Sequence, residues 1–180
     1  MLSEKNTVLV VIDVQHKLSQ VMHDRETLLE NLQKIIKGSL ALGIPVLWLE
    51  QNPSRMGATI PELHDLLGSH QPPISKMSFS GYGEPIFIEN LESIGRRQVL
   101  LAGIEAHVCV YQTASDLIRR GFEVSVVADA VSSRKSNDRD VGVSRMQSEG
   151  VKLTCVEMAL FELMRTASHP AFKDILKIVR

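Results

Sequence analysis

The sequence predicts an α/β fold, a single domain over residues 1–180 with three αβα layers and a mostly parallel central sheet. Three observations carry that expectation. Short apolar, β-branched runs alternate with amphipathic stretches of helical spacing. The apolar runs are almost continuous, as strands buried on both faces are. A length of 180 residues fits one domain with a full core.

In chain order, Thr7–Val14 (TVLVVIDV) reads as the first buried strand. Arg25–Leu42 carries Leu28, Leu32, Ile35, Ile36 and Leu40 at helical spacing, closed by Gly43 and Pro45. Pro45–Glu50, Gln98–Gly103, Glu123–Ala128 and Val151–Cys155 read as further strands. Val108–Arg120, Asp138–Ser148, Glu157–Arg165 and Ala171–Val179 read as helices. Strands separated by helices imply right-handed crossovers and helices on both faces of the sheet. The interruption is Gln51–Glu84, which reads as a long loop, functional or poorly ordered, with one short apolar piece at Pro73–Met77.

Composition narrows the function. Twenty basic residues balance 21 acidic ones for a net charge of −1, which argues against gripping nucleic acid or an anionic membrane by bulk electrostatics. Aromatics are 4% of the chain, too few for a platform that stacks single strands. No apolar run reaches the roughly 20 residues of a membrane span. The start MLSEKNTVLVVID has neither the basic flank nor the cleavage site of a signal peptide. Cys109 and Cys155 are too few for a disulfide framework. A cytoplasmic protein is expected, with a mitochondrial address open in a eukaryote.

Ligands of open α/β sheets gather beyond the carboxyl ends of the strands, so polar residues there bear on function. Asp13 closes the first strand, as a functional carboxylate or as a turn cap. Cys109 falls in the expected first turn of a helix, where dipole and free N–H groups favour a thiolate; the alternative is a small core residue. Cys155 reads as structural, inside a strand. Lys76 ends the short apolar piece, where it either steadies an anion or is solvated.

The segments VVIDVQ, SKMSFS, AGIEAHVCV and VVADAVSSR, in this order, resemble the isochorismatase-like cysteine hydrolases, which include nicotinamidases and N-carbamoyl amide hydrolases. EQNPSRMGATIPEL, GIEAHVC and HPAFKDILK are similar to the isochorismatase domain-containing branch. The resemblance implies a catalytic triad of Asp13, Lys76 and Cys109 that cleaves a small amide-like C–N bond through a thioester. It implies a cis peptide between Ile104 and Glu105, and an oxyanion hole made by the N–H groups of Glu105 and Cys109. Gln15, Phe79, Tyr82 and His107 are nominated to line the substrate pocket.

Nicotinamidases carry a metal-binding Asp-x-His after the second strand; here that stretch is LEQNPSRMG. The histidines at 16, 23, 64, 70, 107 and 169 form no tight ligand motif, so neither metal nor cofactor is expected. A small-molecule substrate and a homo-oligomer, dimer or larger, are expected, the latter also from the apolar C-terminal helix. The rival readings are a non-catalytic oligomeric interaction module and a thiol redox sensor on the same fold.

Overall fold

Parallel pairing follows from the alternation of strand and helix, and the computed structural model, which describes residues 1–180, displays it throughout. The strands are β1 (Thr7–Ile12), β2 (Val46–Gln51), β3 (Ile74–Lys76), β4 (Gln98–Ile104), β5 (Glu123–Ser132) and β6 (Lys152–Thr154). They form one six-stranded sheet in the order β3-β2-β1-β4-β5-β6, with every neighbouring pair parallel. The helices are α1 (His16–Ser19), α2 (Arg25–Ala41), α3 (Pro53–Met56), α4 (Pro61–Leu67), α5 (Pro85–Ile94), α6 (Tyr111–Arg119), α7 (Ser136–Ser148), α8 (Val156–Met164) and α9 (Phe172–Val179). None is long and apolar enough to cross a membrane.

The two-residue period of β1 divides the core. Leu9 and Val11 join Leu32, Ile36, Leu63, Leu160 and Ile175 from α2, α4, α8 and α9. Val8, Val10 and Ile12 join Phe87, Leu117 and Met146 from α5, α6 and α7. The expected three-layer αβα architecture is the one observed. From β1 the chain builds outward through β2 and β3, then returns to β4 on the other side. That reversal opens a crevice at the carboxyl ends of β1 and β4. Gly103 lets the two strands close there. Its φ is +116°, and a Cβ would lie 2.2 Å from the Ile12 carbonyl oxygen.

Two expectations need correction. Gln51–Glu84 is not a long loop: it holds α3, α4, β3 and a 3₁₀ turn at Gly81–Gly83. Proline stands at the first position of α3 and α4, where its missing N–H costs nothing and its fixed φ suits the helix. The C-terminal helix does not offer its apolar face to another subunit. Ile175 is buried, and Phe172, Ile178 and Val179 pack against the same core as α2.

Candidate active site

Asp13 follows β1 with φ +54°, a left-handed conformation that aspartate tolerates better than most residues. Lys76 ends β3, and the β2–β3 register sets it beside Gln51. Cys109 lies in a π-helical turn, Ala106–Val110, between β4 and α6. The Val110 N–H reaches back to the Glu105 carbonyl at 3.2 Å. Gly142 of α7 lies so close that a Cβ there would meet the His107 backbone at 2.8 Å. Thr113 braces the turn from α6: its hydroxyl donates to the Cys109 carbonyl at 2.7 Å and accepts the Gly81 N–H at 2.9 Å. Turns of this kind recur at functional sites.

The three chains converge on side chains that water hardly reaches: Asp13 is 0% exposed, Lys76 1% and Cys109 6%. Lys76 Nζ lies 2.7 Å from Asp13 Oδ2. It also donates to Gln51 Oε1 at 2.6 Å and to the Phe79 and Ser78 carbonyls at 3.0 and 3.2 Å. Neither Asp13 oxygen receives a well-directed hydrogen bond. The carboxylate is therefore paired chiefly in charge.

Burial raises the Asp13 carboxyl above its ordinary value, and the Lys76 charge opposes the rise. Burial also pushes the Cys109 thiol up to about 12, the Asp13 charge adding to the effect and Lys76 offsetting part of it. The expected resting thiolate is thus corrected. At neutral pH Cys109 is a thiol, because desolvation and the neighbouring Asp13 outweigh the lysine and the helix.

The nominated pocket residues fare differently. Gln15 is fully buried, and its amide is spent on backbone: it accepts the Gln51 N–H at 2.8 Å and donates to the carbonyls of Gln51 at 2.9 Å and Gly57 at 2.6 Å. It braces the wall and has no free group for a substrate. The Phe79 ring is 55% exposed, and its contribution to the site is the carbonyl on Lys76. The Tyr82 ring lies 5.1 Å from the guanidinium of Arg120, just past the end of α6. His107 Nδ1 is 2.9 Å from Ser133 Oγ. The peptide between Ile104 and Glu105 is cis. The Glu105 carboxylate takes the Arg134 N–H at 3.2 Å and Nε–H at 3.0 Å. Cys155, expected within a strand, instead precedes α8 and is half-buried.

Sequence reasoning missed Gln51, although it lies within the quoted LEQNPSRMG. Only strand register reveals that it faces Lys76. No three His, Cys, Asp or Glu side chains converge as metal ligands would. A polar recess of about 370 Å³, lined by His23, Ser132 and Arg139 among others, has none of Asp13, Lys76 or Cys109 in its walls. Converging reactive groups, rather than recess volume, locate the site.

With this geometry in view, kinship becomes informative. An isochorismatase domain matches residues 7–158. The chain belongs to the isochorismatase-like hydrolase family. Isochorismatase domain-containing protein 2 of Danio rerio is 39% identical over 179 residues, covering 99% of this chain and 89% of that protein. The structure of MAR1 ribonuclease from Caenorhabditis elegans is 35% identical with a TM-score of 0.93, covering 99% of this chain and 91% of that one. YcaC of Escherichia coli, described as an octameric hydrolase of unknown specificity, shares the family fold at 21% identity and a TM-score of 0.89, covering 98% and 94% of the two chains.

Proposed function

We propose that the protein is a cysteine hydrolase that cleaves a small amide-like C–N bond. One observation carries the reading: a wholly buried Asp13–Lys76 pair beside a protonated Cys109 thiol. Burying two charges costs several kcal/mol per ion before pairing offsets it, an expensive arrangement for stability alone.

Cys109 Sγ attacks the carbonyl carbon while Asp13 takes the thiol proton. The negative charge on the carbonyl oxygen is met by the N–H groups of Glu105 and Cys109. In support, the Glu105 N–H donates to no acceptor within the chain. Asp13 passes its proton to the leaving nitrogen as the C–N bond breaks. It then draws a proton from the water that attacks the thioester, and returns it to the sulfur. The raised Asp13 carboxyl makes it a better base than an ordinary carboxylate, and Lys76 keeps it ionised between steps.

The test is a panel of small amides, ureides and carbamoyl compounds, run with and without a chelator and against Cys109→Ala. The expected result is turnover of at least one member, unaffected by chelation and absent in the variant. Turnover that chelation abolishes and zinc restores would contradict it. RNA belongs in the panel because the nematode relative is described as a ribonuclease. RNA cleavage that survives loss of Cys109 would replace this reading with phosphodiester chemistry. Inertness towards the whole panel would favour the interaction module or redox sensor.

Self-association accompanies this reading. Met77, Phe79 and Ile86 are 69%, 55% and 60% exposed and lie within ten residues of chain next to Lys76. Exposed apolar side chains favour a closed assembly that covers them. Light scattering should give at least twice the mass of one chain; one chain's mass at high concentration would refute it.

A further inference from the structure

Lysine has three N–H bonds and no lone pair to spare. Four acceptors compete for those on Lys76: Gln51 Oε1 at 2.6 Å, Asp13 Oδ2 at 2.7 Å, and the Phe79 and Ser78 carbonyls at 3.0 and 3.2 Å. Two of those acceptors belong to consecutive residues of the loop leaving β3. That loop is held by Gln51, whose Nε2 donates to the Met77 carbonyl at 2.9 Å, and by Glu84. Glu84 Oε1 accepts the Met77 N–H at 2.8 Å, the Ser78 N–H at 3.1 Å and the Ser78 hydroxyl at 2.8 Å.

We propose that Glu84 is a positioning residue for the catalytic lysine. By clamping Met77 and Ser78 it presents the Ser78 and Phe79 carbonyls to Lys76, where they compete with Asp13 for the lysine's N–H bonds and so leave the carboxylate able to accept the Cys109 proton. The inference rests on reading Asp13 and Lys76 as catalytic. Burial works to raise the Glu84 carboxyl, but the hydrogen bonds from Ser78 and Met77 outweigh it and hold the group below its ordinary value. Glu84 is thus ionised, and a strong acceptor, across the pH range in which Asp13 must work.

Losing the clamp has a definite sign. Lys76, freed from two competing carbonyls, turns its N–H bonds more fully towards Asp13 and strengthens its hydrogen bond to the carboxylate. Hydrogen bonds to the ionised form lower a carboxyl's pKa, so Asp13 becomes the weaker base. The test follows the infrared carboxyl band of Asp13, identified by its absence in Asp13→Asn, through a pH titration of the intact protein. Glu84→Ala should move the Asp13 midpoint down by about one pH unit. Glu84→Gln keeps an acceptor oxygen in the same place and should leave the midpoint within a few tenths of a unit of wild type. A midpoint that stays put or rises in Glu84→Ala would overturn the proposal, as would a Gln variant that behaves like alanine. If the Ala variant fails to fold, Ser78→Ala, which removes one of the three clamp bonds, should move the midpoint down by a smaller amount, and no downward movement there counts against the clamp. The titration needs no substrate. An inert amide panel would therefore sink the hydrolase reading without touching this result.

Discussion

Cys109→Ala is expected to lower hydrolysis by about 10⁴-fold or more, the scale seen when a covalent nucleophile is removed. The Asp13–Lys76 pair remains and the substrate still docks, but no thioester forms. Serine should not rescue, because burial that holds a thiol near 12 disfavours an alkoxide more strongly. The loss should appear in kcat with stability nearly unchanged, measured by steady-state rates beside thermal melts. Activity should fall in acid as Asp13 is protonated, at a pH above that of an ordinary carboxylate, because its carboxyl is raised.

Lys76→Met carries the largest expected effect on stability. Removing one partner strands the Asp13 charge in a site with no water, and breaking a buried pair costs about 3–5 kcal/mol. The sign of its pH dependence follows from the direction of the Asp13 shift. Burial already raises this carboxyl, and loss of the lysine raises it further. A carboxyl with a raised folded-state pKa contributes most below its unfolded value, and that contribution is lost as pH rises through the folded value. The deficit in thermal melts should therefore be small near pH 4 and grow towards neutrality. Combining Lys76→Met with Asp13→Asn should recover much of the stability while activity stays absent. A deficit independent of pH, or undiminished in the double variant, would mean that the pair is not energetically coupled.

How much of this was legible in the sequence depends on how local each signal is. TVLVVI, PVLWLE and QVLLAG declare buried strands because two covered faces admit only apolar residues. The parallel αβα architecture follows from their alternation with helices. Pro53, Pro61 and Pro85 mark the starts of α3, α4 and α5, where proline at the first position is favourable, yet none of these helices was read from the sequence. Asp13, Lys76 and Cys109 were nominated by their places after apolar runs. Their protonation was not legible, because desolvation is a property of the assembled site. The contact of Tyr82 with Arg120 was hidden for a similar reason: the two lie 38 residues apart in the chain, a partnership that no local pattern encodes. The roles of Gln51 and Glu84 depend on strand register and loop shape, which exist only in three dimensions.

The central claim is that Cys109 carries the acyl group. It is tested most directly by exposing the protein to p-nitrophenyl acetate, quenching, and mapping the modified peptides by mass spectrometry. The account predicts a single acetyl group on the Cys109 peptide, discharged by neutral hydroxylamine as a thioester is, absent in Cys109→Ala and slow to form in Asp13→Asn. Acetylation confined to surface lysines, with Cys109 unmodified while the ester is turned over, would contradict it.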